Sequence, residues 1–132
     1  MGHHISWDNE YKTVVLQQYT ENAGKDDLYR LAQKSAQMLS TVNHRVHLII
    51  DERNIDLTLT GTDMRYLQRL APKNQGAVVM VVTEKNLQYK TRVQAIGRQL
   101  APDAFADPYF ALSIDEAREF IATHFDMTLL EE

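Results

Sequence analysis

The chain has 132 residues, of which 44% are hydrophobic and 24% are charged, and its net charge is −4. These values are typical of one globular domain with a core of its own. The chain has no cysteine, which excludes a disulfide framework, a thiolate nucleophile and a cysteine-ligated metal site. The longest apolar run, residues 77–82, is far too short to span a membrane, and the N-terminus lacks the segments of a signal peptide. We therefore expect a cytoplasmic protein.

The first segment predicts a β-hairpin. Residues 1–4 (MGHH) are either native or a tag remnant or disordered start, and we set both of their histidines aside as functional residues. Residues 5–7 and 12–19 have the alternation of strands with one buried face. Residues 8–9, Asp and Asn, are typical of the turn between them. The hairpin would give the sheet an antiparallel edge.

The second segment predicts an amphipathic helix. Either Asp26 or Asp27 is expected to cap its N-terminus, where the positive end of the helix dipole favours a carboxylate. Side chains three and four positions apart share one face of a helix. The residues at this spacing are Leu28, Leu31, Ser35, Met38, Leu39 and Val42.

Strands and helices then alternate. Residues 45–51 and 76–83 are nearly continuous apolar runs, as buried parallel strands are, and helices follow at Thr62–Ala71 and at 86–100. A short strand at 110–112 precedes a capping box at Ser113–Glu116 that opens a last helix. The residues predicted to face inward are Met64, Leu67, Leu70 and Ala71 in the second helix, Tyr89, Val93, Ile96 and Leu100 in the third, and Ala117, Phe120, Ile121 and His124 in the last.

The order of elements predicts the fold class. Strand–helix–strand units give parallel neighbours through right-handed crossovers. We therefore predict a single α/β domain over residues 5–125, with a mixed sheet of about five strands and about four helices. Residues 126–132 would form an acidic C-terminal tail.

The stretch from Leu48 to Thr62 carries a family resemblance. Leu48-Ile-Ile-Asp51, a short loop and a Thr-Gly-Thr helix start, in this order of elements, resemble the STAS domain of anti-sigma-factor antagonists, the SpoIIAA-like superfamily. They are still more similar to divergent STAS-like proteins of unassigned function. The resemblance covers residues 5–125. It implies a STAS-like sandwich and a non-enzymatic, regulatory binding role.

The resemblance also suggests a phosphorylation site. Asp51 matches the strand-ending aspartate of the family, and Leu59-Thr60-Gly61-Thr62 falls near its Asp-Ser-Ser-Gly. Leu59 replaces the aspartate, and Thr60 and Gly61 replace the serines, so this chain departs from the switch motif. Thr60 or Thr62 is the candidate phosphoacceptor. The alternative is that one of these threonines only caps the second helix.

Polar residues at the carboxyl ends of two strands mark the predicted binding place. Ligands bind outside these ends in open parallel sheets. We expect this place to bind a protein partner or a small ligand, without a cofactor, beside an apolar patch that includes Met64 and Tyr66. The predicted contributors are Asp51, Asn54, Thr60, Gly61, Thr62, Met64, Arg65 and Lys85.

A small enzyme is the main alternative. Asp51 or Glu52 would act as the base, and Arg53 or Lys85 would hold an anionic substrate, at strand ends 51–54 and 83–86. A homodimer that pairs through the edge of the N-terminal hairpin is a third hypothesis.

Other functions have little support in the sequence. There is no Gly-x-Ser-x-Gly elbow and no glycine-rich phosphate loop. His44 and His47 are three apart, so on a strand they would point to opposite faces, and we expect no metal site. Residues 62–102 are basic, but the chain has a pI of 5.7 and no reading motif, so we do not expect nucleic acid as a partner.

Overall fold

The computed structural model describes residues 2–55, 60–101 and 108–124. In this part of the chain five strands form a mixed sheet and four α-helices flank it, which confirms the predicted α/β class. A 3-10 turn at Glu84–Asn86 precedes the third helix. The elements are β1 (His3–Trp7), β2 (Val14–Tyr19), α1 (Lys25–Leu39), β3 (Val46–Asp51), α2 (Gly61–Leu70), β4 (Gln75–Val81), α3 (Leu87–Leu100), β5 (Pro108–Ala111) and α4 (Ile114–His124).

The sheet has the simple order β1-β2-β3-β4-β5. β1 is antiparallel to β2, and the other neighbours are parallel. Each new parallel strand is added beside the previous one. Right-handed crossovers in a constant direction place the connecting helices on one face of the sheet.

Two hydrophobic layers show which helices cover each face. Ile49 of β3 and Val79 of β4 pack with Ala117 and Ile121 of α4 on one face. On the other face, Tyr19 of β2 packs with residues of α1 and α2, and Leu87 of α3 packs against the neighbouring cluster. The continuous apolar runs predicted for β3 and β4 are therefore explained by helices on both sides.

The chain start is part of the sheet. His3 and His4 belong to β1, so the expected disordered start is wrong for these two residues. His3 is buried; its Nδ1 lies 2.6 Å from Asp27 Oδ1 and its Nε2 lies 3.0 Å from Lys34 Nζ. The backbone amide of Thr20 donates to the carbonyl of Gly2. β1 is thus tied to α1 as well as to β2.

The predicted caps of the helices are only partly correct. Gly24, not Asp26 or Asp27, is the N-cap of α1. Asp27 is the third helical residue, and its Oδ2 accepts a hydrogen bond from the Gly24 amide at 2.8 Å. The aspartate therefore satisfies the helix start from inside the helix. In α4, Ser113 Oγ accepts from the Glu116 amide at 3.0 Å, as the capping box predicts.

The faces of α3 and α4 that were predicted to point inward are partly exposed to solvent. Ile96 and Leu100 of α3 are 53% and 39% exposed. The side chains of Tyr89 and Val93 lie outside the described residues. His124 is exposed at the end of α4 and stacks on Phe120. Leu59 and the predicted acidic tail at 126–132 also lie outside the described residues.

Candidate functional site

A capping box opens α2. Thr60 is the N-cap; its Oγ1 accepts from the Asp63 amide at 3.1 Å, and Asp63 Oδ2 accepts from the Thr60 amide at 2.8 Å. Two otherwise unsatisfied backbone donors are satisfied reciprocally. The capping interpretation is confirmed for Thr60. Thr62 lies in the first turn with its side chain exposed.

Asp63 also joins α2 to α1. Lys25 Nζ and Tyr29 Oη both donate to its carboxylate, which is almost completely buried. Burial raises the pKa of Asp63, but the hydrogen bonds from Lys25, Thr60 and Tyr29 outweigh it and hold the pKa well below its ordinary value. Asp63 was not among the site residues predicted from the sequence. The Thr-x-x-Asp pattern of a capping box was the signal that could have found it.

Asp51 and Arg53 bind each other at the end of β3. Arg53 Nε donates to Asp51 Oδ1 and Arg53 Nη2 to Oδ2, both at 2.9 Å. Burial raises the pKa of Asp51, but the hydrogen bonds and charge of Arg53 lower the pKa by a larger amount. The pKa of Asp51 therefore lies below its ordinary value. A carboxylate with a lowered pKa is a poor general base, and a guanidinium chelated by its own neighbour is not free to hold an anion. The pairing therefore disfavours Asp51 as the base and Arg53 as the anion-binding residue of the enzyme alternative.

The other predicted site residues differ in their exposure among the described residues. Met64 is 3% exposed and contributes to the core rather than to a surface patch. Arg65 and Lys85 are exposed, the latter in the 3-10 turn. Asn54 is exposed, and its Nδ2 donates weakly to the Tyr19 carbonyl at 3.4 Å. The structure thus places Thr60, Gly61 and Thr62 together at the start of α2.

Comparisons of the chain with protein-family models, with curated proteins and with solved structures found no match. Function is therefore inferred from the residues of this chain alone.

A cavity of about 80 Å³ lies between the sheet and the first two helices. We call it the α1–α2 cavity. Its floor is formed by alternate residues of three neighbouring strands, and its walls by α1 and α2. The floor residues are Gln17, Tyr19, Leu48, Ile50, Val78 and Met80, the wall residues are Leu28, Ala32, Ser35, Ala36, Leu67, Leu70 and Ala71, and Glu52, Pro72 and Gln75 complete the lining.

Small side chains on α1 leave this space open. The two helices are also joined by the rings of Tyr29, in the second turn of α1, and Tyr66, in the middle of α2, which pack edge to face at 4.5 Å between centroids. In the following turns α1 lines the cavity with the small side chains of Ala32, Ser35 and Ala36. Ala32 and Ala36 are partly exposed, whereas Ser35 and the strand floor are mostly buried. The cavity therefore opens between the two helices.

Five polar residues line this cavity, and three of them, Gln17, Tyr19 and Ser35, are buried. Ser35 is 4% exposed, and its Oγ has no hydrogen-bond partner among the described residues. Tyr19 is 2% exposed. Burial, and then the charges of Glu52 and Asp27, raise the pKa of Tyr19 far above its ordinary value, so its hydroxyl stays protonated. A mostly apolar cavity with a few buried polar groups is what small-molecule sites have in common.

Ser35 lies on the inner face of α1, as predicted from the sequence, but that face was predicted to be core rather than the wall of a cavity. None of the eight predicted site residues lines the α1–α2 cavity. The available signal was the group of small residues Ala32, Ser35 and Ala36 on and beside an otherwise large apolar stripe.

The histidines have structural contacts. His44 Nε2 lies 2.8 Å from the Lys12 carbonyl, and His47 Nδ1 accepts from the Ala77 amide at 2.9 Å. Within residues 2–55, 60–101 and 108–124, no three His, Asp or Glu residues are grouped to hold a metal ion. No helix in these same ranges is long and apolar enough to cross a membrane.

Proposed function

We propose that this chain is a STAS-like binding module, not an enzyme, and that it takes up a small ligand in the α1–α2 cavity. The observation that carries the proposal is the hydroxyl of Ser35, which is buried in the cavity wall without a partner in the described part of the chain. The order of elements, with a hairpin followed by alternating helices and parallel strands, supports the STAS-like assignment.

The cost of this arrangement supports a functional interpretation. A buried hydroxyl that loses its hydrogen bonds costs about 1–3 kcal/mol. An alternative packing with an apolar residue at Ser35 would remove this cost. Proteins keep such local defects mainly at functional sites, where a ligand offsets them.

The same helix connects the cavity to the surface. Leu67 and Leu70 line the cavity from α2, while Arg65 on that helix is exposed. A protein partner that contacts the exposed side of α2 would therefore sense whether the cavity is filled. Thr60 and Thr62 remain the candidate phosphoacceptors at the start of this helix; the Thr60 hydroxyl is already engaged in the cap.

The test is a binding screen followed by amide NMR. The ¹⁵N-labelled full chain would be screened against a library of small fragments, and the amides that shift would be mapped on the fold. We expect hits whose shifts concentrate in α1, α2 and the strand floor. In Ala36→Leu, which fills the cavity from one wall, these hits should lose at least about tenfold in affinity.

Two results would contradict the proposal. One is a screen without any hit that shifts cavity amides. The other is a set of hits that bind wild type and Ala36→Leu equally, since such ligands cannot occupy the cavity.

A further inference from the structure

We infer that the open edge of β1 (His3–Trp7) accepts an extended, acidic segment of a protein partner as a further antiparallel strand of the sheet. No residue of β1 lines the α1–α2 cavity, so this surface is separate from it. The partner strand would bind the backbone of β1 through hydrogen bonds, and its carboxylates would bind two lysines beside β1.

The hydrogen-bonding register of the hairpin leaves alternate backbone groups of β1 pointing outward. At the two ends of the β1–β2 pair, the Thr20 amide donates to the Gly2 carbonyl and the Asp8 amide donates to the Val14 carbonyl. Bonded and non-bonded residues alternate in an antiparallel pair, so the even-numbered residues of β1 bond to β2. The odd-numbered residues therefore point their amides and carbonyls to the edge, where no other described strand follows. This outward-pointing set is His3, Ile5 and Trp7.

β1 lacks two devices that commonly protect an edge strand, a proline and a β-bulge. Its sequence contains no proline, and its pairing with β2 runs from His3 to Trp7 without a register shift. The strand is therefore regular over its five residues. A regular, unprotected edge is the kind of surface to which extended peptides add as strands.

Two lysines lie beside the two ends of β1, on the face of the sheet that α1 covers. The odd-numbered side chains of β1 point to this face, since Ile5 packs with Leu31 of α1. Lys34 Nζ lies 3.0 Å from the Nε2 atom of His3. Lys12 Nζ lies 6.0 Å from the ring centre of Trp7. A partner strand would therefore pass both ammonium groups.

The acids that contact β1 or end it are paired within the chain. Asp27 Oδ1 lies 2.6 Å from His3 Nδ1 and accepts from the Gly2 amide at 3.1 Å. Asp8, the residue after β1, binds the guanidinium of Arg118 through both carboxylate oxygens. The lysines therefore favour carboxylates on a strand that pairs with β1.

Two further acids near β1 in the sequence, Glu10 and Asp26, are exposed. Glu10 lies in the hairpin turn, beyond the end of β1. Asp26 is two positions before the buried Leu28, so it lies on the solvent side of α1. Neither position places an acid along the strand itself.

The same lysines disfavour a second copy of this chain as the occupant. A symmetric antiparallel pair centred on Ile5 would place His3 of one copy opposite Trp7 of the other. Lys34 would then approach Lys12 of the other copy at both ends of the pair. Like charges at such positions are destabilising, whereas an acidic strand replaces both repulsions with attractions.

The positions of the lysines predict the pattern of the partner strand. The residues opposite His3 and Trp7 are four apart on the partner and point to the same face of the sheet. Carboxylates are expected at these two positions, with an apolar residue between them opposite Ile5. The intervening residues lie beside His4 and Ser6, which are exposed, and are expected to be polar. The pattern is acidic, polar, apolar, polar, acidic.

The test titrates a designed peptide of this pattern, acetyl-TETVTET-amide, into the ¹⁵N-labelled full chain. The readouts are the fluorescence of Trp7, the one tryptophan of the chain, and amide hydrogen exchange. We expect the peptide to bind at least about tenfold more tightly than acetyl-TKTVTKT-amide. The Ile5 and Trp7 amides should exchange at least about tenfold more slowly when it is bound, whereas the His4 and Ser6 amides, which already bond to β2, should change little.

N-methylated peptides separate strand addition from charge attraction. In the antiparallel register the amide of the peptide valine donates to the Ile5 carbonyl, so methylating this nitrogen should weaken binding at least about tenfold. The amide of the threonine before the valine points away from β1, and its methylation should be tolerated. The charges of the peptide are the same in both cases.

Lysine variants assign the charge preference. Replacing both lysines, Lys12→Gln and Lys34→Gln, should reduce the preference for the acidic peptide over the lysine peptide at least about fivefold. Lys73→Gln is the matched control, because Lys73 is exposed before β4, and β2 and β3 lie between it and β1. Ala36→Leu, which fills the α1–α2 cavity, should bind the peptide as the wild type does.

Four results would overturn the inference. They are the absence of binding by the acidic peptide, equal affinity for the acidic and lysine peptides, equal affinity for the peptide methylated at valine, and a dimer in light scattering that is lost when Ile5 is replaced by lysine. Should a variant fail to fold, the peptides titrated into the wild-type chain still decide the outcome. Each of these results leaves the proposed cavity ligand standing, because the fragment screen tests that site separately.

Discussion

Ser35→Ala should make the unliganded protein more stable, which is unusual for a substitution at a buried position. The change removes only the Oγ atom. That atom is buried in the wall of the α1–α2 cavity and has no hydrogen-bond partner among the described residues. The backbone of α1 needs no adjustment, because alanine is the residue that best suits a helix interior.

The expected magnitude follows from three contributions. Removing an unsatisfied buried hydroxyl recovers about 1–3 kcal/mol, and replacing serine by alanine in a helix contributes about 0.5 kcal/mol. Enlarging the cavity by one atom costs about 0.3 kcal/mol. The cavity opens between two helices, so water at its mouth reduces the first contribution. We therefore expect the free energy of unfolding to rise by about 1–2 kcal/mol.

The assay is urea denaturation of the purified chain without ligand, followed by circular dichroism, with the m-value compared between variants. Ser40→Ala is the control. Ser40 is exposed at the end of α1, where its Oγ donates to the Gln37 carbonyl at 2.6 Å, and its replacement should not raise stability. An unchanged or lower free energy of unfolding for Ser35→Ala would show that the hydroxyl is satisfied in the native protein and would refute the reasoning.

The remaining predictions concern the start of α2 and one close contact in the sheet. Thr60→Ala should lower the free energy of unfolding by about 1 kcal/mol through loss of the N-cap bond, whereas Thr62→Ala should change it by less than about 0.5 kcal/mol; equal effects in urea denaturation would contradict the cap. Gly76→Ala should cost about 2 kcal/mol or more, because the added Cβ would lie 2.5 Å from a ring atom of the histidine on β3. The Cβ added in Gly61→Ala would meet nothing closer than 3.7 Å, so this change should be neutral or stabilising by up to about 1 kcal/mol. If Gly61→Ala lowered the free energy of unfolding by more than Gly76→Ala does, the result would be inconsistent with this geometry. For Asp63, whose folded pKa lies below the ordinary value of 3.8, the stabilisation is present above about pH 4 and is lost as the pH falls toward the folded pKa. Wild type should therefore exceed Asp63→Asn in stability at pH 7 and converge with it below pH 4, and a constant difference down to pH 3 would argue against the burial and bonding of this carboxylate.

The candidate site was much harder to predict than the fold. The sequence analysis expected a site at the strand ends because ligands commonly bind there. At that edge, however, Asp51 and Arg53 neutralise each other, and Thr60 and Asp63 satisfy a helix start. Side chains that satisfy one another are indistinguishable in sequence from side chains that await a ligand. Their pairing depends on distances between elements that the sequence does not contain.

The amino-acid sequence alone determined the order of strands and helices, the buried character of β3 and β4 and the face of α1 that points inward. These features follow from local periodicity and from turn and cap chemistry, which act over a few residues. Only the tertiary structure decided that Ala32, Ser35 and Ala36 face α2 across a gap, and that Ile96 is left in solvent. Periodicity specifies which residues share a face, whereas the neighbour that covers the face, and the space left between them, depend on the packing of elements distant in sequence. The cavity is lined by three small side chains of α1 and by residues of α2, a helix distant from them in sequence.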